Sequence, residues 1–571
     1  MLSNEQENAV NSPHQHTWVQ AGAGSGKTRV IVSRAIKLIQ DGIDPTKIVV
    51  ITYTNASASE IIERIKAETN VVGWFVGTMN SYAMSCLTSA CSTPDWEAFN
   101  QKGWACNNPD LWNIVDDSEV DDLIKEVKKS LPKSTTLKSL RLGLSSSISS
   151  QANSLKENRA RACRVLMRSK NMLMQDDLVS MLSDGAKCLP IEHLIVDECQ
   201  DLSHLHKRFV DAVSTSANVF ACGDDAQSIF SFLNKGQESK GFDHFVYENF
   251  EPEIMKLSTN FRSSNSIVSL GNKVRNYLST SGACTALVQR SRRMATAGTV
   301  ETWPVSVDCS SKYEESINAE FLQRVAFEFM ASDSCALIAR TWQDVNLFKP
   351  YLTSFGVIEQ GDESLSLKLP ANRAVLAMAK VIQSGQMTSR NLSEMSFMGS
   401  TAKPDSYLKR LAMSADLIDI VYKQEMSTPL MTLADEFVGQ EFWNQASKIK
   451  TIDNLIDCWH SAGGSPSPLL SHFVGGDLKD LIAGADRVGK ESKGVKVCTT
   501  VHGSKGLEYD TVLLYGISEG IFPSSRDKTQ PLIDEAGRSL YTAITRARSR
   551  LILIQPTRLR NKERQVSRFM T

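Results

Sequence analysis

Several things are scarce in this chain of 571 residues. It has no surplus of either charge, with 63 Lys and Arg against 64 Asp and Glu, so whole-chain charge says nothing about a polyanionic partner. Its twelve cysteines are scattered, with no CxxC pair and no Cys/His ligand spacing. That argues against a disulfide framework, a zinc site and an iron–sulfur cluster, and fits reduced thiols in the cytoplasm. No apolar run approaches the roughly 20 residues a membrane span needs. The opening MLSNEQENAVNSPHQH is polar, unlike a secretory leader. A cytoplasmic location and no membrane partner are therefore expected. There is also no internal repeat and no long low-complexity tract.

What is present is a succession of short β-branched runs with helical stretches between them. KIVVITYT, HLIVDE and NVFACGD fall early, and CALIAR, VKVCTTVHG, TVLLYG and RLILIQ fall late. Alternation of this kind implies α/β architecture with parallel sheets. The length fits roughly three or four domains. The two groups predict two α/β cores, each interrupted by a mainly helical insert. The expected layout is a first core from 1–105 and 176–265 with an insert at 106–175. The second core is expected from 266–385 and 491–571, with a small insert at 386–490. Between Lys125 and Lys170 twelve basic residues face only Glu126 and Glu157. Such a stretch suits a polyanion-facing surface, an exposed helical face being the plainer alternative.

The chemistry begins at AGAGSGKT. Ala21, Gly22, Ala23, Gly24, Ser25 and Gly26 form a glycine-rich loop after the apolar run HTWVQ. Loops of this composition turn their N–H groups inward on phosphates. Lys27 would reach the β- and γ-phosphates and the Thr28 hydroxyl would ligate Mg2+. Val32, Ile36 and Ile39 then recur at helical spacing, so the phosphates would lie at a helix N-terminus. In HLIVDECQD, Asp197 and Glu198 close a strand, where one acid can hold Mg2+ and its neighbour can activate water. Gln227 in GDDAQSIF stands at another strand end, suited to sensing a γ-phosphate.

The ordered set NEQENAV, AGAGSGKT, ITYTNASASEI, GTMNSY, VDECQD, GDDAQSIF, TNFRSS, VHGSKGLEYD and YTAITRAR resembles the UvrD/Rep family of superfamily 1 helicases. The resemblance implies two RecA-like P-loop NTPase cores, ATP and Mg2+ as cofactors, and single-stranded DNA and its junctions with duplex as partners. By position, Gln6 resembles the adenine-reading glutamine, and Lys27, Thr28, Asp197 and Glu198 match the phosphate, Mg2+ and base positions. Arg29 matches a nucleotide-contacting arginine, Phe261 a residue near the adenine and Glu508 one that touches the ribose. Arg262 and Arg546 match the two arginine fingers. Tyr53 and Phe232 match aromatics that stack on bases, the alternative being core aromatics, and Thr78 and His502 match neighbours on the same track.

The sequence departs from the family at Ala21, where Gly is usual, at Asn80 for His, at Phe232 for Trp and at Leu233 for Arg. The terminal TRLRNKERQVSRFMT resembles a shortened wedge hairpin without an aromatic at its tip, its Arg558, Arg560, Lys562, Arg564 and Arg568 being candidates for phosphate contact. Two readings stand at this point. One is an ATP-dependent DNA helicase with 3′-to-5′ polarity, the polarity resting on resemblance alone. The other is a DNA-stimulated ATPase subunit that needs a protein partner, such as a separate nuclease or a loading factor. A P-loop kinase or transport ATPase leaves the paired arginines and GSKGLE unexplained.

Overall fold

The computed structural model describes residues 2–69, 71–90, 113–114, 172–186, 189–229, 250–293, 298–311, 314–357, 370–384, 451–461, 470, 476–479, 481–482, 496–559 and 562–570. The basic stretch Lys125 to Lys170, Phe232 and most of both expected inserts lie outside the described residues. Among the described residues no helix is long and apolar enough to cross a membrane.

Six strands make the first sheet, in the order Phe75–Thr78, Ile48–Thr52, His193–Val196, Asn218–Gly223, His16–Ala21 and Glu253–Leu257. Every pairing is parallel. The period-two pleat sends alternate residues to opposite faces. Trp18, Val49, Leu194 and Val219 enter one apolar cluster, and Val19, Val50, Ile195 and Phe220 enter another. Burial on both faces is why the central strands read as unbroken apolar runs. Because the strands run parallel, Ala21, Thr52, Thr78, Val196 and Gly223 all end at one edge of the sheet. The short motifs follow these residues, so the fold gathers them there.

Helix Lys27–Gln40 starts at Gly26, whose φ of +83° no other residue adopts cheaply. Its buried face is Val30, Ile31, Val32, Arg34, Ala35 and Leu38, whereas the spacing predicts Val32, Ile36 and Ile39. Arg34 widens the stripe, because its Nη1 donates to the Val10 and Ser12 carbonyls at 2.7 and 3.2 Å and can therefore be buried.

The second sheet runs Glu314–Ile317, Thr299–Ser311, Ala547–Leu559, Tyr509–Tyr515, Cys335–Ala339 and Lys496–Thr500. The first pair is antiparallel and the other four pairings are parallel. Between the sheets, strand Thr259–Ser264 leaves the first and pairs with Arg290–Arg293. Ala23, Ala226 and Ile229 share one apolar cluster with residues of the second sheet such as Leu513 and Leu551. Helix Gln530–Ile544 is buried at every residue from Ala536 to Ile544, because it lies in that shared interior.

The C-terminal segment folds back on the second sheet. Ala547–Leu559 turns back to Lys562–Glu563 with Arg558 opposite Glu563 and Leu559 opposite Lys562, a very short hairpin. Arg568 is exposed and ion-paired on the surface. It grips Glu519 with Nε at 3.1 Å and Nη2 at 2.7 Å. Phe569 beside it is 1% exposed and meets Tyr277 edge-on at 5.0 Å. Burying this ring fixes the tail, which leaves Arg568 the nearest acid as its partner. Phe569→Ala is expected to destabilise the second unit by about 3 kcal/mol, measured by urea unfolding. A loss below about 0.5 kcal/mol would contradict this packing.

Candidate active site

The loop after His16–Ala21 is pinned from the far side. Phe261 N–H donates to the Gly24 carbonyl at 2.9 Å, and Asn260 Nδ2 and Gln289 Nε2 both donate to the Ala23 carbonyl at 2.8 Å. Gly24 has φ +68°, and a Cβ there would lie 2.6 Å from Arg262 Cβ. The loop thus sits directly beneath the strand that carries Arg262. Gln6 is buried, its Nε2 donating to the Ser25 carbonyl at 2.9 Å and its Oε1 accepting from Ser3 N–H at 3.0 Å. The helix Asn4–Val10, capped by Ser3, therefore holds Gln6 against the loop. Arg29 is exposed on the first turn of the helix, with Lys27 and Thr28 partly buried beside it.

Asp197 and Glu198 follow the strand His193–Val196. Glu198 has φ +48°, the left-handed region, alone among described non-glycine residues. That conformation costs roughly 1–2 kcal/mol. The turn Cys199–Asp201 imposes it, with Asp201 N–H donating to the Glu198 carbonyl at 2.9 Å. The turn lies so close to the neighbouring strand end that a Cβ on Gly223 would fall 2.5 Å from Gln200 Oε1. The Glu198 carboxylate accepts from Gln200 Nε2 at 2.6 Å and faces Lys27 Nζ at 3.8 Å.

These two adjacent acids have opposite fates. Burial, reinforced by the Glu198 charge, pushes Asp197 up to about 7. Burial works against Glu198 too, yet Lys27, Lys505, the Gln200 hydrogen bond and Arg546 hold it down at about 2. A carboxylate that stays ionised is fit to accept a proton, and a buried carboxyl short of cations suits a divalent ion. The loop offers a glycine cradle and a buried Ser25 Oγ without a partner. A nucleotide phosphate with Mg2+ fits this set, with Thr28 and Asp197 as the metal's residues.

The second unit closes over these groups. Arg546 is 3% exposed and donates Nη2 to Gln227 Oε1 at 2.8 Å and Nη1 to the Leu507 carbonyl at 3.2 Å. Burial, with Arg262 nearby, lowers it to about 10. Arg262 Nε is bonded to Glu508, and its Nη1 donates to the Thr545 carbonyl at 3.1 Å. Burial opposes ionisation of Glu508, but Arg262 and Arg548 hold its carboxyl below the ordinary value. Lys505 crosses to Asp201 and to the Gln227 carbonyl, the latter at 2.9 Å.

Two family models match this chain. The UvrD/REP helicase N-terminal domain matches residues 2–183 and 186–240, and the UvrD-like helicase C-terminal domain matches residues 387–557. Together they span well over half of the sequence.

The chain belongs to the UvrD/Rep-like helicase family.

Similar proteins run along nearly its whole length. The ATP-dependent DNA helicase PcrA of Leuconostoc citreum is 24% identical over 97% of this chain and 81% of its own. The ATP-dependent DNA helicase Rep of Buchnera aphidicola subsp. Schizaphis graminum is 23% identical over 96% and 92%. DNA helicase II of Escherichia coli strain K12 is 22% identical over 100% and 87%.

Against that family, the structure brings Gln6, the 21–28 loop, Glu198, Gln227, Arg262 and Arg546 to one junction, with Phe261 and Glu508 at its rim. The Phe261 ring lies 5.5 Å from the Arg292 guanidinium carbon. Tyr53 follows Ile48–Thr52 half-buried, and burial, with the Asp201 charge adding to it, raises its phenol. Thr78 caps the helix Met79–Ala90, its Oγ1 accepting from Ser81 N–H at 3.2 Å. His502 is half-buried with Nε2 3.2 Å from the Ile229 carbonyl, and burial lowers its imidazole.

Sequence reasoning missed Gln200, Lys505, Asn260 and Gln289. The first three lie inside quoted motifs, within three residues of named positions, whereas no local pattern marks Gln289. Gly24→Ala is expected to cost about 2 kcal/mol or more, the left-handed penalty plus displacement of Arg262. Thermal unfolding measures it, and an unchanged midpoint would contradict the close approach of loop and strand.

Proposed function

We propose that this chain is an ATP-dependent motor on single-stranded DNA that moves 3′-to-5′ and separates strands as it goes. The observation that supports this best is the junction itself. Lys27 and Glu198 come from one sheet, Arg546 and Lys505 from the other, and the charges of Lys27, Lys505 and Arg546 all act on Glu198. An ATPase whose site spans two sheets can convert hydrolysis into relative movement of those sheets.

In this reading Lys27 meets the β- and γ-phosphates of the substrate ATP, and Glu198 orients the attacking water and accepts its proton. Thr28 and Asp197 would hold Mg2+, which would supply positive charge beside the phosphates. Arg262 exchanges Glu508, and Arg546 exchanges Gln227, for the developing charge on the transferred phosphoryl group. Gln6 turns from Ser25 to the adenine, and Phe261, Arg29 and Glu508 border the nucleoside. Tyr53, Thr78 and His502, with Phe232, serve as the track for the strand. RecA-like cores and the two helical inserts complete the layout read from the sequence.

A second reading is favoured by one specific observation. Arg558 pairs with Glu563 and Leu559 with Lys562 in a short antiparallel ladder, and Phe569 in the following tail is buried. Little of this segment is left to part base pairs, which suits a DNA-stimulated ATPase that relies on a partner for unwinding.

Duplexes with a 3′ or a 5′ single-stranded tail separate the readings. With ATP, strand separation from the 3′-tailed duplex alone is expected, and none with Lys27→Ala. Unwinding from the 5′ tail would overturn the polarity. DNA-stimulated hydrolysis without unwinding of either would support the partner-dependent reading.

A further inference from the structure

Beneath the junction lies an ion cluster that this mechanism leaves unused. Arg275, on helix Asn265–Thr280, is 1% exposed. Its Nη1 donates to Asp224 Oδ1 at 2.5 Å and its Nη2 to Asp225 Oδ1 at 2.9 Å. Nη2 also reaches the Thr285 carbonyl at 3.3 Å, and the guanidinium carbon lies 5.7 Å from the Tyr541 ring centre. Asp225 Oδ2 takes the Thr285 N–H and hydroxyl, both at 2.6 Å. Two neighbouring buried carboxylates would repel one another, and one planar fork serves both.

The far side of Asp224 faces the site. Its Oδ2 accepts from Gln227 Nε2 at 2.8 Å, and the other end of that amide, Oε1, accepts from Arg546 at 2.8 Å. A carboxamide has one donor end and one acceptor end, so whichever end Asp224 takes decides which end Arg546 receives. The fixed Asp224 carboxyl, whose Oδ2 accepts, takes the NH2 and leaves the carbonyl for the guanidinium. With Asp224 displaced, the amide can turn and put NH2 against NH2, donor against donor.

We infer that Arg275 is a positioning residue for ATP hydrolysis: it fixes Asp224, Asp224 sets the Gln227 amide, and the amide aims Arg546. The inference rests on the proposed role of Arg546. Nothing in the surrounding GNKVRNYL marks this arginine, and only the fold gives it two buried acids from the other sheet.

The test is a double-mutant cycle on kcat, with a nonhydrolysable ATP analogue and thermal unfolding as separate readouts. Arg275→Lys keeps the buried cation and loses the fork. Asp224→Asn reaches the same amide from the other side and stands in should the lysine variant not fold. Each is expected to bind the analogue within about threefold of the parent while kcat falls on the order of 10^2-fold, the size of a small misplacement. Placed in Arg546→Ala, either change is expected to add no further loss, because nothing remains to be aimed. An unchanged kcat in the single variants, or an additive loss in the double ones, overturns the inference. If Arg546→Ala itself turns over at the full rate, the proposed function fails and takes this inference with it. A slow Arg546→Ala beside a fast Arg275→Lys removes this inference alone.

Discussion

A carboxyl group with no exposed surface needs a hydrogen-bond partner for each of its oxygens, and Asp224 is such a group, at 0% exposure. It lies at the end of a first-sheet strand, yet Arg275 comes from a helix beyond that sheet and Tyr541 OH, at 3.4 Å, from the helix under the second. Its own N–H donates to Gln200 Oε1 at 3.0 Å. One residue thereby ties the turn that carries Glu198 to the helix that leads into Arg546. Removing a single partner would leave a buried charge unmet, a cost typically of several kcal/mol, so the junction is held as one unit. The site depends on this more than on any contact made by the phosphate loop alone.

Around that anchor, electrostatics separates two acids that the sequence sets side by side. Asp197 is short of cations and Glu198 has several, so one carboxyl titrates near neutrality while the other stays charged. The division comes from geometry: the left-handed turn at Glu198 swings its side chain toward Lys27 and the second unit, and Asp197 stays in the sheet interior. Backbone strain at such a place is stored in favour of function and is sustained by surrounding packing.

Much of this was legible in the sequence, and the reasons for the rest are physical. Buried parallel strands such as IVVIT and HLIV announce themselves, because both faces are apolar. Thr299–Ser311 does not, since Trp303, Val305 and Val307 alternate with exposed Thr302, Pro304 and Ser306, and a search for continuous β-branched runs passes over it. The buried face of helix Lys27–Gln40 is wider than Val32, Ile36 and Ile39, because two backbone carbonyls let Arg34 be buried beside them. Pairs such as Arg262 with Glu508 and Gln227 with Arg546 join segments hundreds of residues apart, and only the assembled sheets bring them together. The order of motifs carried the family; the pairing across the junction required the fold.

Identity near one residue in four with named helicases leaves most side chains free to differ. The central claim is that hydrolysis is completed across two sheets. The most direct measurement is the single-turnover rate of ATP hydrolysis by Arg546→Ala with single-stranded DNA bound, taken beside the affinity for a nonhydrolysable analogue. A fall on the order of 10^3-fold or more with affinity nearly unchanged is expected. A loss of about tenfold or less would make Arg546 a structural strut and contradict the account.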